Sequence, residues 1–431
     1  MKNTFVVSCP IDTYSGYGAR SRDFVKALIE LDEYDVQILS QRWGKCSEGF
    51  IKNNKDWEFL NKHIIPQLTS KPDYWCQITV PNEFQTVGKY NIGLTAGMET
   101  TIVDGSWVEG CNRMDLIMTS SNHSKNTFLN SKFHKGDDKT NVLEINKPIE
   151  VLIEGLNLDV YKVTKEFKNK ELYNKINSIP EKFAYLTVGH WMQGELGEDR
   201  KNIGLTIKAF YELFKNRKNP PALILKSCMI NSSILDKSEI QRRIEIIKSG
   251  IPDAKTLPKV YLLHGSFTDL EMNEIYNHPK VKSMISLTKG EGYGRPLLEF
   301  SAIDKPIIAT NWSGHIDFLK KEYCSFIEGK LDKIHPSAVV PNMILAESEW
   351  FRPELKDIGY SLNNVFEVYD EWLENAKKQG SHSRNNFSFN SMKEQIKDIF
   401  SKNLTKLPKK MDLNIGKIEM PKKPKTKLKK V

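Results

Sequence analysis

A chain of 431 residues is too long for one ordinary core and implies two domains with extensions. Hydrophobic residues at 39 % and aromatics at 10 % can build real cores, and no apolar run reaches the roughly eighteen residues needed to span a bilayer. The net charge of +9 is concentrated: from Asn403 to Val431 ten lysines face only Asp412 and Glu419, so the rest of the chain is nearly neutral and is not coated for nucleic acid.

Phe5-Val6-Val7-Ser8 reads as a first strand, followed by a loop from Pro10 to Gly18 that holds Ser15-Gly16-Tyr17-Gly18. Arg20 to Glu33 has helical period, with Phe24, Val25, Leu28 and Ile29 on one face, and Val36 to Leu39 is the next strand. This order opens a doubly wound nucleotide-binding layout. Ser21 stands where a dinucleotide fingerprint needs its third glycine, so the motif does not indicate NAD. Arg42 to Pro81 has no clear period, and its aromatic and lysine-rich pieces around Trp43, Trp57 and Trp75 suit an acceptor surface. A strand at Tyr90 to Thr95 runs into Ala96-Gly97-Met98-Glu99, and the Glu99 carboxylate is either a capping group or a substrate contact. Glu150 to Asn157 closes the first domain, placed at 1–165, and the charged stretch from Lys162 to Asn177 reads as the linker.

A second Rossmann-like unit, 178–378, starts at the strand Phe183 to His190. Gly194 to Asn202 is an unusually acidic loop, carrying Glu195, Glu198 and Asp199 before Arg200 and Lys201. An amphipathic helix with Leu205, Ile207, Phe210, Leu213 and Phe214 follows it. The strand Tyr261 to Leu263 ends at His264-Gly265, and Thr268 with Glu271 predicts a capping box. Ser391 with Glu394 predicts another, on the last helix, within 379–402. Residues 403–431 are lysine, proline and polar residues without period and are expected to be disordered. Six scattered cysteines without a Cys-x-x-Cys pair suggest neither a disulfide framework nor a metal site, and a reducing cytosol is the expected compartment.

The most informative stretch is Ser286 to Phe300. After the apolar Met284 and Ile285 the chain passes Gly290, Gly292 and Gly294, and Pro296 marks a helix start. Backbone N–H groups at such a start have no intrahelical acceptor and favour a phosphate. Glu291 and Glu299 flank the turn with seven residues between them, and Ile307 to Thr310 follows as a buried strand.

This block resembles the Glu-x7-Glu signature of the retaining glycosyltransferases of family 4 (glycosyl transferases group 1). The resemblance implies the GT-B fold: α/β, two Rossmann-like domains facing across a cleft, with the last helix crossing back onto the first. It implies a nucleotide-diphosphate sugar as donor and a hydroxyl acceptor. Glu291 would stand beside the donor sugar and Glu299 on the ribose diol, with Gly292, Tyr293, Gly294 and Arg295 around the donor. Arg200 and Lys201 match the cations that hold the diphosphate, and with Glu291 they form the catalytic set. His264 and Gly265 lie where relatives hold the base, and Gly16 and Gly18 where the first domain faces the donor. Glu99 stands near where many members have a histidine, which makes it an acceptor-side candidate. No Asp-x-Asp pair marks a metal site, so positive side chains and a helix terminus are expected to replace a divalent ion, with no cofactor. A glycan, lipid-linked or protein acceptor is favoured over a hydroxylated base of nucleic acid such as hydroxymethylpyrimidine DNA, which the basic tail keeps open. A non-catalytic GT-B binding protein is the remaining alternative. The expected location is the cytoplasm, with weak contact of the tail to an anionic surface such as a membrane.

Overall fold

The computed structural model describes residues 2–135, 138–229 and 232–404. The basic segment expected to be disordered therefore lies outside the described residues from 405 onward. The first domain is built on β1 (Asn3–Cys9), β2 (Tyr34–Ser40), β3 (Tyr74–Ile78), β4 (Tyr90–Leu94) and β5 (Leu116–Thr119). After a hairpin of β6 (Phe133–Lys135) and β7 (Asp138–Leu143), β8 (Ile149–Val151) completes a parallel sheet in the order β2-β1-β3-β4-β5-β8. Its helices are α1 (Gly16–Leu31), the short α2 (Phe50–Asn53), α3 (Gly105–Asn112) and α4 (Asn122–Asn130). Both faces of β1 are buried, with Phe5, Val7 and Cys9 in one cluster and Val6 in another, as a helix-covered parallel sheet requires.

The second domain repeats the plan with β9 (Ala184–His190), β10 (Ala222–Cys228), β11 (Val260–Leu263), β12 (Val281–Ser286), β13 (Ile307–Thr310) and β14 (Ser325–Ile327). Their order is β11-β10-β9-β12-β13-β14. Around this sheet lie α5 (Lys170–Asn177), α6 (Ile203–Phe214), α7 (Ile234–Ser249), α8 (Asp269–Asn277) and α9 (Arg295–Ser301). A hairpin of β15 (Gly329–Lys333) and β16 (Glu349–Pro353) precedes α10 (Leu355–Glu367), α11 (Tyr369–Asn386) and α12 (Phe389–Asn403). Among the described residues no helix is long and apolar enough to cross a membrane.

Three expectations need correction. Residues 170–177 are not linker: α5 buries Leu172 and Ile176 in the core of the second domain, because its few apolar residues fall on one face. The boundary at 378 falls inside α11, whose Gln379 and Ser383 bond to Phe318 and Ser301 of the second domain. The chain recrosses at Phe387–Phe389, where Leu156 pairs with Ser388, and α12 packs Met392, Ile396 and Phe400 into the first domain. The cap of α12 is Ser388, which accepts from Ser391 N, so Ser391 lies inside the helix instead of starting a capping box. The stretch from Arg42 to Pro81, which has no clear period in sequence, holds β3, a central strand between β1 and β4. The box of Thr268 and Glu271 on α8 is present as expected.

Arg20 fastens the crossing. It is 1 % exposed and donates to the carbonyls of Leu152 and Ile153 at 2.5 Å each, and its Nη1 donates to Met392 Sδ of α12 at 3.5 Å.

Candidate active site

The two domains meet along the glycine-rich turn. Gly292 O accepts from Ser121 Oγ at 2.6 Å and Ser124 Oγ at 3.3 Å, and Tyr293 OH donates to Glu154 O at 3.1 Å. A Cβ on Gly290 would overlap the Glu99 carbonyl, and one on Gly292 the Ala96 carbonyl. These glycines therefore permit close approach of the first domain. Gly292, Tyr293 and Gly294 are buried between the domains, and α9 has only seven residues, so the turn is less a phosphate cradle than a seam. Gly294, the N-cap of α9, has a left-handed φ of +100°, which glycine adopts without a steric cost.

Beside the seam lies a cluster of four charges. Lys201 Nζ bonds Glu291 Oε1, and Arg200 Nη1 stands 3.4 Å from both Glu291 Oε2 and Glu99 Oε1. Glu291 N donates to Ser313 Oγ at 2.9 Å, which fixes the backbone of the carboxylate. Burial alone would raise the Glu291 carboxyl, but Lys201 and Arg200 bring it down to about 2. The Lys201 stem lies against Gly189, next to His190.

His190 is in the wall of an interdomain cleft of about 440 Å³. Gly16, Arg22 and Phe50 line it from the first domain, and Lys226, Gly265, Asp269, Arg295 and Glu299 from the second. A Cβ at Gly16 would meet nothing within 4 Å, so this glycine opens the cleft; Gly18 is packed on Thr13 and its N–H donates to the Ser15 cap. Glu299 Oε1 accepts from Arg295 Nε at 3.1 Å and Oε2 from Tyr276 OH at 3.0 Å. Burial raises the Glu299 carboxyl to about 7 against the pull of Arg295. Arg295 is shared: its Nη1 donates to Asp23 Oδ2 at 2.6 Å and lies 3.7 Å from Glu154 Oε2, both from the first domain.

The structure thus brings Arg200, Lys201, Glu291 and Glu99 into one cluster, and Glu299, Arg295, Gly265 and Gly16 into the adjacent cleft. His264 is not in the cleft wall, because its Nε2 is engaged by Asp236 Oδ2 at 2.8 Å. Sequence reading missed Asp23, Arg22 and Lys226. The available signal was the charged run Arg20-Ser21-Arg22-Asp23 on an otherwise core-facing helix, all four residues of which are buried. Among the described residues no group of three or more His, Cys, Asp or Glu is placed to hold a metal ion.

No family model and no curated protein sequence matches the chain. In structure it is similar to a glycosyltransferase from Rickettsia africae ESF-5, at 15 % identity and TM-score 0.62 over 94 % of this chain and 100 % of that one. It is similar to HepE from Anabaena, solved with UDP and glucose, at 12 % identity and TM-score 0.58 over 93 % and 99 %. Sucrose-phosphate synthase from Thermosynechococcus elongatus aligns at 10 % identity and TM-score 0.60 over 93 % and 99 %. These likenesses establish the fold. The chain has the GT-B architecture, two Rossmann-like domains facing across a cleft.

Proposed function

We propose that this protein is a retaining glycosyltransferase that moves a sugar from a nucleotide-diphosphate donor to a hydroxyl acceptor. The observation that carries the reading is the pairing of two unlike carboxylate sites, Glu291 with Lys201 and Arg200, and Glu299 in the adjoining cleft. In this reading the donor diphosphate enters beside His190 and takes Lys201 and Arg200 as charge-assisted donors. The ribose diol donates to Glu299, and the base lies against the turn at Gly265. As the bond from the anomeric carbon to the diphosphate breaks, charge grows on the leaving oxygen, and cations held in place bind it more tightly than the ground state. The acceptor oxygen bonds to the anomeric carbon on the face the diphosphate leaves, and its proton passes to the departing phosphate oxygen.

UDP-sugars are the first donors to test, because HepE is solved with UDP-glucose. Lys201 and Arg200 take the place of a divalent ion in this reading. The acceptor is a glycan or lipid-linked glycan approaching past Glu99, whose side chain is 30 % exposed beside Arg200. The basic tail would adhere to an anionic surface, at about 1 kcal/mol per lysine near a charged membrane. Nucleotide release from a panel of UDP-, GDP- and ADP-sugars tests the activity. A chain that releases nucleotide from none of them, with or without glycan acceptors, is not the enzyme proposed. NMR of the product's anomeric proton tests retention.

A further inference from the structure

The acidic loop ahead of α6 has no part in the site as described, although its carboxylates adjoin both cations. Asp199 is engaged locally: it is fully buried and accepts from Ile203 N at 3.1 Å, at the start of α6. Glu198 is engaged elsewhere. It accepts from Lys289 Nζ at 2.8 Å and from Arg352 Nη1 and Nη2 at 3.0 and 3.1 Å. The Lys289 ammonium lies 4.8 Å from the centre of the Trp350 ring, on a side chain 1 % exposed. Arg352 Nε continues to Asp332 Oδ2 at 2.8 Å, across the β15–β16 hairpin.

The backbone follows the same path. Lys289 N donates to Arg200 O at 2.8 Å, and Phe351 N donates to Lys289 O at 2.9 Å. Lys289 N thus holds the Arg200 carbonyl, and Glu198, two residues before Arg200, holds the Lys289 ammonium. The hairpin that supplies Arg352 also touches the first domain. Thr101 N donates to Glu349 O at 3.0 Å and Glu349 N to Thr101 Oγ1 at 2.9 Å. Thr101 is two residues from Glu99, the carboxylate beside Arg200. With the chain segments 99–101, 349–352 and 198–200, the contacts Arg200–Glu99, Thr101–Glu349 and Arg352–Glu198 close a ring.

We propose that Glu198, Lys289 and Arg352 are positioning residues for Arg200, and that the β15–β16 hairpin makes this positioning depend on closure of the two domains. The inference rests on the donor reading above, in which Arg200 faces the leaving diphosphate. Burying an ammonium is costly unless its partners are well placed. Here the geometry is good, and the network ends on the peptide of a cation whose charge must meet the leaving group. A displacement of about 1 Å at such a group can cost about 100-fold in rate.

The test is a double-mutant cycle on UDP-sugar hydrolysis. Arg352 is partly exposed, with 36 % of its side chain accessible, so Arg352→Ala should fold, and Glu198→Gln keeps the side-chain shape. Thermal unfolding of each variant is read in parallel. Each change should lower kcat about 10- to 100-fold and leave KM within about threefold, because the lost alignment acts in the transition state. In an Arg200→Ala background, Arg352→Ala should lower kcat no further, and Arg352→Lys should restore part of the rate in the wild-type background. Multiplying effects of Arg352→Ala and Arg200→Ala would overturn the inference, as would a rise in KM with kcat unchanged. A wild-type chain that hydrolyses no donor would overturn the donor reading and this inference with it. One that turns over with independent effects overturns this inference alone.

Discussion

Glu291 and Glu299 are separated by seven residues in the chain and occupy opposite electrostatic states. Glu291 has Lys201 and Arg200 against it, and is held down to about 2 although burial alone would raise it. Glu299 also has a cation, Arg295 at 3.1 Å, but that guanidinium is divided among Glu299, Asp23 and Glu154, and burial lifts the carboxyl to about 7. Equal burial with unequal cations therefore separates the two. One end of the site is a fixed ion cluster suited to a charge that develops on a diphosphate. The other is a carboxyl that changes state near neutral pH and suits a hydroxyl pair.

The sharpest way to break this comparison is to remove the cations. Replacing both Arg200 and Lys201 by alanine should lower turnover at least 100- to 1,000-fold, the cost typical of losing one preorganised donor to a developing charge. Stopped and steady-state assays of donor hydrolysis check it, and acceptor affinity should change far less. At the other end, Glu299→Ala should weaken donor binding about 10- to 100-fold, since a hydrogen bond to a charged group contributes roughly 1.5–3 kcal/mol. Calorimetry with UDP reads this directly, and unchanged affinity would remove Glu299 from the ribose.

Parts of this division were legible in the sequence because they are local. The spacing of Glu291 and Glu299, the adjacent Arg200 and Lys201, and the strands around them are set by a few neighbouring residues. The partner that divides Arg295 was not legible: Asp23 lies 272 residues away and meets it only when the domains close. Gly290 and Gly292 were read as opening a phosphate site, but their missing side chains make room for the carbonyls of Glu99 and Ala96. That role depends on the other domain and leaves no local trace. The strand β3, Tyr74 to Ile78, was hidden because it is buried on both faces and carries Gln77, whose side chain bonds to Glu83 O and Gln85 N. Without alternation or an uninterrupted apolar run, it offers no period to detect.

Smaller effects sharpen the comparison. Asp23→Asn leaves Arg295 with less competition, so the Glu299 carboxyl should titrate lower, which the pH midpoint of donor binding reports. Folding stability should respond with a definite sign. Between about 4.5 and 7 the folded protein keeps a proton on Glu299 that the unfolded chain has released, so this group's contribution falls as pH rises through that window. Glu299→Gln should remove that slope in denaturant melts. Glu291 adds no step above about pH 5, because it is ionised in both states there. The smallest expected effect is none: excess EDTA should leave turnover unchanged, whereas loss restored by Mn²⁺ would show that Lys201 and Arg200 are not the counter-charges.

The central claim is that the carboxyl which titrates near neutral pH is the one that takes the ribose. Calorimetric titration of UDP-glucose, whose diphosphate has no ionisation in this range, between pH 6 and 8 tests it most directly, on the wild type, Glu299→Gln and Glu291→Gln. The account predicts that wild-type affinity rises with pH as Glu299 ionises and becomes a better acceptor, that Glu299→Gln is flat, and that Glu291→Gln keeps the rise. A wild type without the rise, or a Glu299→Gln variant that retains it, would contradict the account.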